Sequence, residues 1–313
     1  MRSVVLGCLL LAGCGNTGAN KNGDESGGDS TSTGSACSPK ASCTAGAECL
    51  NIADNSDAAR PGLRVAQLSI STPSALASGI VAGVFAGAVE PHAPACNLSG
   101  TGFSSLLLQF DKAAGTITLG GSKPVADPSG GYSFVNETVD GMPVAPVTMQ
   151  GTIDETGAFA VTSGVNVILP FYLDNTTALL FPLRKVTTNG TLSSDNNCIG
   201  TYNAKGLDPA NGCLSTADTP AFLNGGNLDG YMALEDADLV VLSSVQASLC
   251  VILSGDATQY GDGASPAKCK RGRDGAILYH GDWCDATNAA ASGDCFDSVR
   301  FQSAFSASGV DIL

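Results

Sequence analysis

The sequence predicts a mainly β fold: an antiparallel β-sandwich or barrel-like domain, with one helix in its C-terminal half and disulfides as staples. Three observations lead there. Beyond residue 60, short apolar stretches rich in Val, Ile and Thr recur between Gly, Asn, Asp and Pro turn signals. Two of these stretches read as hairpins with one apolar and one polar face. The chain also carries 12 cysteines in 313 residues.

The first hairpin is LLLQFD-KAAG-TITLGG. Pairing Asp111 with Thr116 across a four-residue loop sets Phe110 against Ile117 and Leu108 against Leu119, while Gln109 and Thr118 face the other way. The second is VTMQGTID-ETG-AFAVT. A four-residue loop would send Phe159 to the polar face, so a three-residue loop Glu155-Thr156-Gly157 is expected, with left-handed Gly157 pairing Ile153 with Phe159 and Gly151 with Val161. A third stretch, VNVILPFYL-DNTT-ALLFPLRKV, is apolar on both faces and therefore expected to be buried. Its Pro170 and Pro182, almost opposite each other, each remove a ladder donor, which requires a bulge, an edge or a loop packed over a barrel mouth. Further on, ALEDADLVVLSSVQASLCVILSG runs without Gly or Pro until Gly255 and places Leu239, Leu242, Leu249 and Leu253 near a helical stripe, so a helix is expected over 237–254, with two strands as the alternative. The closing SVRFQSAF alternates Val299, Phe301 and Ser303 with polar neighbours and reads as a last strand.

The start of the chain has a different character. Met1 and Arg2 precede an apolar run from Val4 to Leu11, then small residues before Cys14. That run is far short of the ~20 residues a membrane-crossing helix needs, and it has the layout of an export signal. Leu11-Ala12-Gly13-Cys14 resembles the lipobox of bacterial lipoproteins. The resemblance implies that residues 1–13 are a signal peptide, that diacylglycerol joins the Cys14 sulfur, and that the chain is cut before Cys14 and acylated there. It makes the membrane a partner through lipid. Gly15, standing where Asp would imply inner-membrane retention, directs the protein to the outer membrane or cell surface. From Gly15 to Ala36 no aromatic residue and no aliphatic one larger than Ala occurs, so 14–36 is expected to be a flexible tether with a reach of ~26 Å. Residues 37–60 form a Cys-rich segment, and 61–313 the β-rich domain outside the cytoplasm.

Without Cys8 and Cys14, ten cysteines remain: Cys37, Cys43, Cys49, Cys96, Cys198, Cys213, Cys250, Cys269, Cys284 and Cys295. An even number in an oxidising compartment points to disulfides, whose pairing the sequence leaves open. No C-x₂-C pair suggests zinc. With Asp+Glu 29 against Lys+Arg 15 and a net charge of −14, the chain is not expected to bind nucleic acid. One basic cluster, Lys268, Lys270, Arg271 and Arg273, reads as a solvated loop or as a patch for an anionic partner.

Catalytic signatures are scarce: there is no G-x-S-x-G, H-E-x-x-H, Walker loop or G-x-G-x-x-G behind a strand. His92 in EPHAPAC reads as exposed surface. The segment YHGDWCDATN gathers His280, Asp282, Asp285, Tyr279 and the single tryptophan, Trp283, beside Cys284. A carboxylate near an imidazole can orient it as a base, whereas a tryptophan against a disulfide stiffens a loop. Asp229, Glu235, Asp236 and Asp238 are the densest acids and calcium candidates, although their spacing is not that of a calcium loop and helix N-terminal placement explains three of them. No cofactor other than calcium is indicated. These features favour a binding or structural module for interaction or adhesion, its partner a protein or a small molecule, over an enzyme. The alternative is a surface hydrolase using His280 with Asp282 or Asp285.

Overall fold

The computed structural model describes residues 51–93, 98–202, 207–208, 214–215, 222–242, 245–255 and 265–313. The expected export signal over 1–13, Cys14, the expected tether and five of the ten cysteines (Cys37, Cys43, Cys49, Cys96 and Cys213) lie outside the described residues.

Nine strands carry the architecture: β1 (Gly62–Thr72), β2 (Ser105–Asp111), β3 (Thr116–Ser122), β4 (Val147–Ile153), β5 (Ala158–Val161), β6 (Val165–Tyr172), β7 (Ala178–Thr191), β8 (Gly226–Ala233) and β9 (Ser298–Val310). All but β6 pair antiparallel in the order β1-β2-β3-β4-β5-β7-β8-β9, and β9 then pairs with β1 from Gly62↔Val310 to Thr72↔Gln302. The circuit is closed, so the sheet is an up-and-down barrel rather than a sandwich. Closure leaves no free edge along the ring. Inward residues are apolar: Leu63, Leu108, Phe110, Ile117, Met149, Phe159, Phe301 and Phe305 all lie in one buried cluster. Outward residues such as Thr148, Gln150, Thr152, Asn189 and Asn227 are polar and exposed, the reverse of a lipid-facing barrel. Among the described residues no helix is long and apolar enough to cross a membrane.

Both hairpins take the expected registers. Asp111 faces Thr116 and Phe110 faces Ile117, while Ile153 faces Phe159 and Gly151 faces Val161. The Asp154 carboxylate accepts from the Thr156 and Ala158 amides at 2.8 and 3.0 Å, and Gly157 turns the chain at φ 85°. The third hairpin is shifted by one residue from a four-residue loop: the Leu173 amide donates to Thr177, Pro170 faces Leu180 and Pro182 faces Ile168. Pro170 is tolerated because β6 pairs only with β7 and is an edge, and Pro182 because it precedes Arg184, where the β7–β8 pairing begins. The strand passes so close to the ring that a Cβ on Gly121 would lie 2.7 Å from Pro170 Cγ.

The apolar helix α2 (Gly79–Val89), which follows the short α1 (Ser74–Ala77), packs on this hairpin. The Phe85 ring meets Phe171 and Phe181 edge-on at 5.4 and 5.3 Å, and Phe181 in turn meets Phe301 of the ring at 6.4 Å. The last carbonyls of α2 are each met: Ala86 by the Glu90 amide, Gly87 by Thr101, Ala88 by Ser104, and Val89 by the Arg64 guanidinium at 2.9 Å. Arg64 is buried on β1 and donates also to Ser105 Oγ and the Gly102 and Ser104 carbonyls. Its acceptors are all neutral oxygens. The negative end of a helix takes the place of a counter-ion.

The stretch expected to be one helix is two: α3 (Leu234–Leu239) and α4 (Leu249–Ser254), separated by a small hairpin, Val241–Leu242 against Ala247–Ser248. Gln246 at φ 50° makes its turn, and Ser248 caps α4 through the Val251 amide. Helical periodicity survives in each half, but the buried ends Leu234 and Leu253 are better served by folding back than by one long rod. Two disulfides staple this half of the chain, Cys250–Cys269 and Cys284–Cys295. Cys198 is disulfide-bonded as well.

Candidate functional site

The densest charged chemistry lies on the outer face of β7, β8 and β9, under the excursion 234–297. It begins at a bulge. Between Arg184 and Thr187 the β7–β8 register shifts, and Lys185 takes φ 50°, a left-handed conformation rare outside glycine. Bulges re-aim side chains, and here Arg184 reaches two carboxylates: Asp236 of α3 at 2.7 Å and Asp285 at 2.6 Å. Tyr231, opposite Arg184 in register, donates its hydroxyl to the other oxygen of Asp285 at 2.5 Å. The Asp285 amide donates to Asp297 at 2.9 Å.

Each partner shifts the others. Donation by Tyr231 holds the Asp285 carboxyl below the usual range, with Arg184 adding to it against the opposing effect of burial. Burial, reinforced by Asp285, pushes the Tyr231 phenol up to about 12. The Asp236 carboxylate raises the Arg184 guanidinium.

A second network starts from the same helix. Glu235 receives both terminal nitrogens of Arg271 at 2.8 and 2.7 Å, and the second of these also reaches Asp238 at 2.9 Å. Asp238 is buried. Burial raises its carboxyl, but the Cys269 amide, the Ser248 hydroxyl and Arg271 outweigh that and hold it low. Lys268 donates to the Asp238 carbonyl. Asp238 thus sits against the Cys250–Cys269 bridge, and its ligand atom and the two sulfurs lie within 4.8 Å of one another. Those sulfurs are bonded to each other.

The acidic and basic groups conspicuous in the sequence therefore meet each other. Lys268 and Arg271 turn onto Asp238 and Glu235, the Lys270 carbonyl accepts from Leu278, and Arg273 is exposed. The four calcium candidates do not converge: Asp229 on β8 accepts from Gln302 at 2.9 Å and faces Arg300 at 3.8 Å, Asp236 serves Arg184, and Glu235 and Asp238 serve Arg271. The residues of YHGDWCDATN are likewise dispersed. His280 stacks on Phe296 with centroids 3.5 Å apart, Asp282 accepts the Arg300 amide at 2.8 Å, and Asp285 belongs to the Arg184 network. Among the described residues the imidazole makes no hydrogen bond to either carboxylate. Trp283 lies over the Arg300 guanidinium at 4.8 Å and donates Nε1 to Asn288 at 3.2 Å. His92 is exposed, with Nδ1 3.1 Å from the Gly100 carbonyl.

Sequence reasoning missed Arg184, Tyr231, Arg300 and Arg64. Arg184 had one local signal, a charge inside the apolar run ALLFPLRKV. The others had none, because their partners are distant in the chain. Half-exposed ion pairs such as Arg184–Asp285 contribute about 0–1 kcal/mol each, against about 2–4 kcal/mol for a disulfide. The bridges hold the excursion together and the ion pairs set its position on the barrel. The fold and site define a closed antiparallel barrel carrying a stapled, ion-paired excursion. No family model, curated protein or solved structure matches the chain.

Proposed function

We propose that this chain is a lipid-anchored module of the bacterial cell envelope that binds or scaffolds a partner rather than turning over a substrate. The observation that carries this reading is the saturation of the site. Arg184, Tyr231, Asp236, Asp285, Arg271 and Asp238 are all engaged with one another or with the backbone. An active site needs a nucleophile and base held ready for substrate, and His280 stacks on a phenyl ring instead. The anchoring half of the reading is supported by Leu11-Ala12-Gly13-Cys14. Ile52 and Ala53 donate to Gly309, so the chain enters the barrel where β1 begins and β9 ends. The excursions 73–104, 123–146 and 234–297 lie at the opposite end, while the connection 192–225 lies at this end, where Cys198 pairs opposite Ser308.

Intact mass spectrometry of the protein purified from bacterial membranes tests the anchor. A chain beginning at Cys14 and carrying a diacylglycerol and an acyl group is the expected result, with Cys14→Ser soluble or uncut. A wild-type protein with an unmodified, uncut start would overturn the anchor. Turnover of an ester, peptide or glycoside that is lost in His280→Ala would overturn the non-enzymatic reading.

A further inference from the structure

We infer that the outer side of helix α2 rests on the surface of the lipid bilayer, a second membrane contact beside the anchor at Cys14. The inference rests on the lipid-anchor reading and assigns one flank of the barrel to it.

Helix α2 is apolar on every side, reading GIVAGVFAGAV from Gly79 to Val89. Its inner side serves the fold, with Phe85, Ala88 and Val89 buried and the Phe85 ring against Phe171 and Phe181. The outer side of a surface helix is normally polar, because water covers it, and the outer face of the sheet follows that rule. The outer side of α2 does not. Gly79, Gly83 and Val84 are exposed, and between Arg64 and Glu90 the chain has no charged residue, although it holds 29 acids in all. Beyond the helix backbone and the adjacent residues, no described atom lies within 4 Å of a Cβ built on Gly79, Gly83 or Gly87, so no described residue covers that side.

A helix that is apolar all round belongs in a core or against lipid. The length of α2 suits lying on a bilayer rather than crossing it: 11 residues at 1.5 Å each span ~16 Å, about half of the ~30 Å hydrocarbon core. The path of the chain brings this side to the membrane. α2 begins beyond the far end of β1, yet its last carbonyl, Val89, accepts from Arg64, the third residue of β1. It therefore runs back along the flank of the barrel toward the end where Ile52 and Ala53 donate to Gly309, which pairs opposite Leu63. The expected tether over 14–36, with a reach of ~26 Å, leads to this entry, so a barrel lying on its α2 flank keeps its attachment point close to the bilayer. A second copy of the chain is the poorer occupant. One face of an 11-residue helix is far smaller than the ~800 Å² per partner of a stable interface, and a net charge of −14 on each copy opposes their approach. Lipid sets no such minimum, because the anchor already holds the face at the surface and raises its effective concentration.

The open space beside Gly83 makes the test clean, since a side chain added there meets nothing in the described fold. The mature chain carrying Cys14→Ser, and so without lipid, is floated with vesicles of phosphatidylcholine at millimolar lipid. Binding is the expected result, reduced ~10-fold or more in Gly83→Asp, which sets a carboxylate against the acyl boundary, and raised in Gly83→Leu, both at unchanged thermal midpoint. Replacing part of the lipid by phosphatidylglycerol should weaken binding, because an anionic surface repels a chain of net charge −14. No flotation, flotation equal in wild type and Gly83→Asp, or binding that grows with phosphatidylglycerol would overturn the inference. So would sedimentation showing a dimer in lipid-free buffer that Gly83→Asp disperses, since a second copy would then cover this side. Lipid attachment at Cys14 is read by mass on the membrane-purified protein, so failure here leaves the anchor intact, and failure of the anchor leaves the flotation result valid.

Discussion

The tight turns and the long connections of the barrel are built on different principles. At one end β2 turns into β3 and β4 into β5 within a few residues, each turn closed by its own side chains: Asp111 accepts the Ala114 amide, and Asp154 accepts those of Thr156 and Ala158; the third connection there, 192–225, is long and pairs Cys198 opposite Ser308 of β9. At the other end every connection is long. Residues 73–104 carry α1 and α2, 123–146 a small hairpin, 162–177 the strand β6, and 234–297 both helices α3 and α4 with both described bridges. The short turns are self-sufficient. The long connections are stable only through groups far away in the chain, such as Arg64 for α2 and Arg184 for the last excursion. Local chemistry closes the tight turns and tertiary chemistry the long connections.

The largest effect is expected from Arg64→Met. It leaves the Val89, Gly102 and Ser104 carbonyls without their donor in a buried place, costing about 4 kcal/mol if each lost acceptor counts for 1–3 kcal/mol. Urea unfolding of the purified domain measures this, and a loss under 1 kcal/mol would mean that the helix end does not depend on a distant cation.

A smaller effect is expected at a locally closed turn. Gly157→Ala forces a left-handed φ of 85° on a residue with a Cβ and aims that Cβ at the Leu192 carbonyl, 2.1 Å away. Strain of this kind costs about 1–2 kcal/mol plus whatever the backbone shift adds. The loss should be confined to the β4–β5 turn and the adjoining segment, with hydrogen exchange at α2 and α3 unchanged. Exchange spreading to those helices would show that the two ends are coupled.

The smallest effects are pH-dependent. Tyr231 and Arg184 depress Asp285, so its contribution is complete above the unfolded carboxylate value of about 4 and is lost as pH falls through its lower folded value. Tyr231 is raised to about 12. Its contribution is complete below about 10 and is lost as pH climbs toward 12. Urea midpoints followed across pH should therefore flatten on the acid side in Asp285→Asn and on the alkaline side in Tyr231→Phe, by about 1 kcal/mol or less, because Asp285 and its partner Arg184 are each about one-third exposed. An unchanged acid limb in Asp285→Asn would mean that this network does not contribute to stability.

These contrasts match what was legible. Both hairpin registers followed from which side Phe110 and Phe159 had to face, since a one-residue slip exposes every apolar side chain of a strand. The last strand followed from the same alternation. The split of the helix over 237–254 was not legible, because Leu239, Leu242, Leu249 and Leu253 satisfy a helical stripe whether or not the chain folds back between them. The acidic and basic clusters were visible as composition, but nothing in their spacing showed that Arg271 would close on Glu235 and Asp238. Trp283 was conspicuous, yet its partner Arg300 and its position on an outer sheet face came only with the strand pairing.

The sequence by itself determined the strand faces, the tight turns, the wealth of cysteines and the Leu-Ala-Gly-Cys start, because period, turn residues and short motifs act over a few positions. Only the tertiary structure decided that the sheet closes through β1 and β9, which cysteines of the second half pair, and which acid meets which base. Those choices join residues tens to hundreds of positions apart, and they are settled by which arrangement leaves the fewest buried polar groups without a partner.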